Sequence, residues 1–332
     1  MNKTARNIVL LGTSFGIVLA GMTTLNLYDA FLANHEASAE YLTDSSSASS
    51  QTSASSGSGT SSTTSASSTS SSSTSASPYS KTAVTLVKKS ATNENGVTSK
   101  YYIADITLRS YDDLKTHLSL SSSGSPGTGY KETVANHVSD IKAAGETPLV
   151  AITGDSAYYS TYRKGYVIRN GLKYRSTSQA TSGTGTTSGD DFATYKDGTA
   201  KAFVESSTTT TALINSGCYQ CWCFGPTLLD DSTIQVTTSQ DVYQCKGANQ
   251  RTAIGYVSAF HFVFFVSEGR INNSSTDGFS LYEMAGLLKN YGCVSAYNLD
   301  GGGAAYMWYD GARVDSSTDN RTLGDIVYVK AS

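Results

Sequence analysis

Basic clusters are missing from this chain of 332 residues. Lysine and arginine total 24 against 27 acidic residues, scattered without a stripe, and the net charge is −3. With no such patch to neutralise phosphates, nucleic acid is excluded as a partner. Histidine is equally sparse, at 4 residues, and the spacing of the four matches no metal-ligand pattern. No calcium-loop spacing occurs either; clustered carboxylates leave a structural calcium ion open, but no cofactor is expected and no metal ligands are assigned. Proline numbers only 4, whereas tyrosine reaches 22. Charged residues are 15% of the chain. The resulting surface, rich in Ser, Thr, Gly and Tyr, is polar yet weakly charged, as is common outside cells.

Cysteine is limited to 5 residues. Cys218 and Cys221 are spaced C-x-x-C, but a thioredoxin-like motif needs a helix next, and Trp222 to Pro226 reads as extended. A zinc site would need a second ligand pair, and Cys245 and Cys293 are isolated. In an exported chain, disulfides are the expected fate of four of the five, with the connectivity open.

The N-terminus carries an export signal. Lys3 and Arg6 precede an uncharged apolar run, and Asp29 and Glu36 follow it. A run of roughly 20 residues is long enough to span a bilayer as a helix. The charge asymmetry keeps residues 1–7 in the cytoplasm, makes 8–28 a transmembrane signal-anchor, and places the rest outside the cell. A cleaved signal peptide ending near Ala37-Ser38-Ala39 is the alternative, and it exports the chain as well. Residues 29–78 form a stalk that is Ser-, Thr-, Ala- and Gly-rich from Asp44 to Ser77. With almost no large apolar side chain, it cannot offset the entropy of ordering. A disordered tether on a membrane anchor suits work within or beyond a cell wall.

Residues 79–332 read as a single α+β domain, strand-rich, with a mixed β-sheet and few helices. Ala83 to Lys88 and Tyr101 to Leu108 pattern as an opening hairpin around Asn95-Gly96. Tyr111 to Leu118 suggests a short helical turn, and Thr133 to Ala144 has helical spacing before Gly145. Pro148 to Thr153 is a short apolar strand. Gly165 to Arg175 is a hairpin turning on Asn170-Gly171. Phe260 to Val266 is so continuously apolar that it predicts a strand buried on both faces. Ser280 and Glu283 form a capping-box pattern opening a helix from Leu281 to Asn290.

The richest stretch in chemistry is Tyr297-Asn298-Leu299-Asp300-Gly301-Gly302-Gly303-Ala304-Ala305. A carboxylate stands where a strand ends, and three glycines follow. Glycines allow a ligand to approach the main chain closely, and successive N–H groups can form a nest for an anion. Asp155 is a second carboxylate just past a strand and beside a glycine, Gly154.

Taken in order, Thr153-Gly154-Asp155, Phe224-Gly225-Pro226, Arg251-Thr252-Ala253-Ile254-Gly255, Glu268-Gly269-Arg270, Leu281-Tyr282-Glu283-Met284-Ala285, Gly292-Cys293, Asn298 to Gly303 and Arg321 resemble the phosphodiester glycosidase family. The ordered set runs from about Tyr79 to Val329. Where that family usually has two serines after the glycines, this chain has Ala304 and Ala305. The resemblance implies hydrolysis of a sugar C1–O bond whose leaving group is a phosphate, in a glycan or glycan-phosphate substrate. Such a site must stabilise an oxocarbenium-like sugar and hold the departing phosphate. On this basis Asp300 is the first carboxylate expected at the sugar and Asp155 its partner. Glu268 is third, with an ion pair to Arg270 as its structural alternative. Arg251 and Arg270 are the phosphate ligands by guanidinium geometry. Asn298, Gly301, Gly302 and Gly303 complete the substrate-binding set. A non-catalytic carbohydrate-binding wall module is the competing reading, and a secreted adhesin domain a third.

Overall fold

The computed structural model describes residues 76–119, 131–155, 165–176, 189–237, 247–270, 276–317 and 319–332. The expected cytoplasmic tail, membrane anchor and stalk up to residue 75 lie outside the described residues, as does Cys245. No helix among the described residues is long and apolar enough to cross a membrane.

Among the described residues the domain is built of three antiparallel sheets. The first has seven strands, in the order β1 (Ala83–Thr92), β2 (Thr98–Thr107), β13 (His261–Ser267), β12 (Thr252–Ser258), β14 (Ser295–Asn298), β10 (Thr227–Asp230) and β11 (Thr233–Ile234). The β1–β2 hairpin closes through Asn93, whose Oδ1 accepts from the N–H groups of Asn95 and Val97. Strand β13 is central, paired to β2 on one side and β12 on the other. Phe262, Val263, Phe264, Phe265 and Val266 are all fully buried, which accounts for the unbroken apolar run. Such a run does not require parallel neighbours. Every strand pair among the described residues is antiparallel, so the expectation of a mixed sheet is corrected.

The second sheet orders β16 (Ala312–Arg313), β15 (Met307–Tyr309), β4 (Pro148–Thr153), β17 (Asp325–Lys330) and β3 (Leu114–Leu118). Here the helical turn expected over Tyr111 to Leu118 is only a single 3₁₀ turn, Tyr111–Asp113, before β3 begins. Leu114, Thr116 and Leu118 are buried while Lys115 and His117 are half-buried, the period-2 pattern of a strand. Helix α1 (Val134–Ala143) packs on β4 through Val134, Val138 and Ile141.

The third sheet orders β6 (Leu172–Arg175), β5 (Val167–Arg169), β9 (Cys218–Trp222), β7 (Asp190–Tyr195) and β8 (Ala200–Val204), with the short helix α2 (Thr210–Asn215) packed on β9. The β5–β6 turn has Asn170 at φ 53° and Gly171 at φ 80°, the backbone that an Asn-Gly hairpin turn requires. Helix α3 (Leu281–Tyr291) lies on the first sheet and buries Leu281, Met284, Ala285 and Leu288, one helical face. Its capping box is formed in full: Ser280 Oγ accepts from Glu283 N–H, and the Glu283 carboxylate accepts from Ser280 N–H.

The expected disulfides do not form among the described cysteines: no S–S bond joins Cys218, Cys221, Cys223 and Cys293, all of which are buried. Their sulfurs turn to separate partners. Cys218 Sγ donates to Gln220 O, Cys221 Sγ to Asp191 Oδ2, and Cys223 Sγ accepts from Arg175. Burial pushes the Cys218 and Cys293 thiols up to about 12, so they stay protonated at neutral pH.

Candidate functional site

Four strand ends from two sheets meet at one place, and main-chain hydrogen bonds lace them together. Gly154 N–H, past β4, donates to Asp325 O at the start of β17. Asp300 N–H, past β14, donates to Gly154 O at 3.1 Å. Leu299 N–H donates to Thr252 O on β12, and Gly302 N–H to Gln250 O at 2.9 Å. The Asp300–Ala305 turn is therefore seated on backbone from both sheets, and Gly302 to Ala304 close as a 3₁₀ turn. Gly302 sits at φ 58°, a left-handed conformation that favours glycine.

Behind this seam lies a fully buried ionic cluster. Asp155, Arg169 and Asp325 have no side-chain exposure. Arg169 Nη2 donates to Asp155 Oδ1 at 2.6 Å and to Asp325 Oδ2 at 2.9 Å, and Nε donates to the same Asp325 oxygen at 3.1 Å. Its Nη1 donates to the carbonyls of Ile168 and Cys221. The other oxygen of Asp155 accepts from Cys223 N–H at 2.9 Å. Burial alone would lower the Arg169 pKa, but the charges of Asp155 and Asp325 overcome it and hold the guanidinium protonated. The Asp325 carboxylate lies flat against Gly154, where a Cβ would stand 2.5 Å from Oδ1. Asp155 thus faces the interior and ties three strands together, instead of facing the solvent side with Asp300.

The solvent side of the seam is different. Asp300, Gly301, Gly302 and Gly303 are each partly exposed. The Arg270 guanidinium packs over Gly302, with Nη1 and Nη2 3.7 Å from the position a Cβ would take. The Arg321 guanidinium and the Asp319 carboxylate flank Gly303 in the same way, each at 3.4 Å. Both arginines are exposed, and Arg270 has φ 51°, an uncommon backbone for a non-glycine residue. A turn with an acid at its head and a guanidinium on each of two glycines is equipped to hold an anion beside a carboxylate. Arg321 stood in the motif series without being assigned to the site. Arg169 and Asp325 belong to no motif, though a charged residue in the apolar strand Val167–Arg169 is itself a signal of a buried partner.

The remaining expected residues have other roles here. Arg251 is 2% exposed, and its guanidinium donates to Phe279 O and Gly247 O, which secures loops around β12. Its main chain does border the turn, with its Cα 3.5 Å from where a Gly301 Cβ would lie. Glu268 does not pair with Arg270 as its alternative reading expected. Its Oε1 accepts from Tyr102 Oη at 2.6 Å and Ser316 Oγ at 2.7 Å, with Lys100 Nζ at 4.0 Å from Oε2. Burial alone would raise the Glu268 pKa, but those hydrogen bonds and the lysine charge outweigh it and leave it below the ordinary value. Asn298 Nδ2 donates to Gly225 O, bracing the segment beside the turn. Ala304 and Ala305 are each 2% exposed and pack into the two main apolar clusters. Their side chains face the core, so the missing hydroxyls are not missing from the open face of the site. Among the described residues no group of three or more His, Cys, Asp or Glu is placed to hold a metal ion.

A family model for phosphodiester glycosidases matches residues 146–330, which covers the ionic cluster, the glycine turn and all three arginines around them. The chain belongs to the phosphodiester glycosidase family. It is 29% identical over 196 residues to the SPbeta prophage-derived uncharacterized protein YomE of Bacillus subtilis (strain 168), a match that covers 58% of this chain and 28% of that protein. The chain therefore spans well under half the length of that relative. Among solved structures, the catalytic domain of zebrafish N-acetylglucosamine-1-phosphodiester alpha-N-acetylglucosaminidase, auto-inhibited by its pro-peptide, superposes with a TM-score of 0.57 at 19% identity. That match covers 77% of this chain and 86% of the zebrafish domain and shows a shared fold. A hypothetical protein from Synechocystis matches at a TM-score of 0.47 and 11% identity, over 75% of this chain and 62% of its own.

Proposed function

We propose that this phosphodiester glycosidase homologue hydrolyses sugar-1-phosphodiester linkages, with N-acetylhexosamine-1-phosphate as the leading unit, in cell-envelope or exopolysaccharide glycans. The observation that carries this reading is the convergence of Arg270 and Arg321 on Gly302 and Gly303, directly after Asp300. The two guanidiniums would bind the phosphate oxygens and stabilise charge as the phosphate leaves. A phosphate is a weakly basic leaving group, so little general-acid help is required at that oxygen. Asp300 would stand at the sugar, stabilising positive charge at C1 or directing water to it. If the sugar carries an acetamido group, its own oxygen can attack C1, and Asp300 then orients that group. The apolar segment 8–28 would anchor the chain, and the Ser/Thr-rich stalk would carry the domain outward on the extracellular side.

The test is release of sugar from UDP-N-acetylglucosamine and from an N-acetylglucosamine-1-phosphodiester by the full chain and by Asp300→Asn. Turnover by the wild type and its loss in the variant is expected. Equal turnover by both would remove Asp300 from the mechanism. Absence of turnover over a panel of sugar-1-phosphodiesters would favour the non-catalytic binding module.

A further inference from the structure

A second concavity lies beside β7, β8 and β10, and none of its described lining residues belongs to the glycine turn. It is a cavity of about 270 Å³ lined by Asp190, Phe203, Pro226, Thr227, Asp230 and Gln235, among others. Pro226 and its neighbour Gly225 are held by Asn298, through Asn298 N–H to Pro226 O and Asn298 Nδ2 to Gly225 O. Asn298, two residues before Asp300, thus braces a residue of the cavity lining, Pro226. Two oxygens at the cavity are buried without a hydrogen-bond partner, Asp190 Oδ1 and Thr227 Oγ1. Thr227 is only 6% exposed. The two residues are fixed against each other, since Thr227 N–H donates to Asp190 Oδ2 at 2.6 Å. Tyr297 Oη donates to Asp190 O and holds the start of β7 in place. A buried polar atom left unsatisfied is costly, and a ligand hydroxyl reaching it would recover that cost.

The lining selects the ligand class. Asp190 and Asp230 supply carboxylates, and among the described residues no lysine or arginine lines the cavity, so an anion such as phosphate is disfavoured. Hydroxyl donors are what carboxylates and an unpaired threonine oxygen accept. The apolar part of the lining is Phe203, Val204 and Pro226, with the Phe203 ring stacked on Tyr166 at a centroid distance of 6.4 Å. A ring with C–H groups on one face and hydroxyls at its edge suits both kinds of lining. The volume lies just below the ~300–1,000 Å³ of drug-sized sites, which suits one sugar ring.

We infer that this cavity is a subsite for a neutral pyranose unit, separate from the phosphate-binding turn. The inference takes its ligand class partly from the glycan reading above, but it concerns binding and requires no turnover. The experiment is ligand-observed saturation-transfer NMR on the full chain with the methyl glycosides of glucose, galactose, mannose and N-acetylglucosamine, with and without EDTA. At least one glycoside should bind in the millimolar range, unaffected by EDTA. Phe203→Ala and the exposed-site variant Asp230→Asn should each weaken it about 10-fold or more, while Asp300→Asn and Arg270→Gln leave it unchanged. Circular dichroism on each variant confirms that the fold is kept. No binding by any of the four glycosides overturns the proposal. So does binding that Asp300→Asn removes, which places the sugar at the turn, and binding that EDTA abolishes, which makes the cavity a cation site. A loss of turnover without loss of glycoside binding would instead count against the hydrolytic reading alone.

Discussion

Two acid–arginine clusters lie back to back across a single hydrogen-bonded seam, and they differ in nearly everything but composition. Asp155, Arg169 and Asp325 are wholly buried, with short ion pairs and backbone partners on every side. Asp300, Arg270, Arg321 and Asp319 stand at the partly or fully exposed rim around three glycines. The first cluster fixes where Gly154 lies, and Gly154 O receives the N–H of Asp300. The second is open to a ligand. The same residue types thus serve as scaffold on one side and as a candidate reaction site on the other. Desolvation decides which: a buried pair that loses one partner leaves a charge with nowhere to go, whereas an exposed arginine keeps water as its alternative.

The largest effect should come from breaking the buried cluster. Arg169→Met would strand two carboxylates in the core and is expected to cost about 3–5 kcal/mol in a urea unfolding experiment. Activity should fall in proportion to the folded fraction. A variant that stays fully stable yet loses turnover would show that Arg169 acts at the reaction, and the division between the clusters would collapse. Next comes Asp300→Asn, expected to lower kcat by roughly 10²–10⁴-fold while stability moves by no more than about 0.5 kcal/mol. Paired unfolding curves and initial rates on the two variants separate scaffold from site.

Much of this arrangement can be read in advance from the chain, but not the part that depends on who neighbours whom. Strand β4 matches its apolar run from Pro148 to Thr153 at both ends, because a proline and a Gly-Asp pair bound it. The Asn170-Gly171 turn and the Ser280 capping box are local, and local chemistry suffices for them. The β3 strand is less legible: the Asp112-Asp113 turn before it suggests a helix, and the alternation of Leu114, Thr116 and Leu118 spans only five residues. Antiparallel pairing throughout is a property of connections between distant strands, which apolar patterning alone does not encode. The site divides in the same manner. The glycine turn is legible because three consecutive glycines need a backbone reason. The inward direction of Asp155 is not, because it is set by Arg169, a residue of another sheet. Arg251 and Arg270 are alike in the sequence, and only burial separates the one that ties down carbonyls from the one that reaches the turn.

Smaller effects sharpen the exposed half of the comparison. Arg270→Gln and Arg321→Gln should each raise KM for a sugar phosphodiester about 10-fold, since a hydrogen bond to a charged group contributes roughly 1.5–3 kcal/mol and part of it survives in the amide. Their effects should shrink with added salt, unlike that of Arg169→Met, because only exposed pairs are screened. Gly302→Ala places a Cβ on a left-handed residue and should cost about 1 kcal/mol of stability. Equal KM effects for the two arginines would support a phosphate shared between them, and an effect in only one would assign it to that side of the turn.

Glu268 is the residue on which the division is finest, because it is a buried carboxylate only two positions from Arg270. Its pKa lies below the ordinary 4.5, since hydrogen bonds from Tyr102 and Ser316 and the charge of Lys100 outweigh the burial that would raise it. A carboxylate with a depressed folded-state pKa contributes stability that is present above its unfolded pKa and is lost as pH falls through the folded value. Unfolding free energies measured from pH 7 down to pH 3 should therefore show wild type above Glu268→Gln at neutral pH, by about 1 kcal/mol. The gap should close once the pH passes below 4.5. The amide can still accept from Tyr102 and Ser316, so turnover at neutral pH should change by less than the drop in Asp300→Asn. If Glu268→Gln instead abolished turnover while its stability tracked wild type at every pH, the carboxylate would belong with the exposed cluster, and the boundary between scaffold and site would have to be redrawn on the far side of β13.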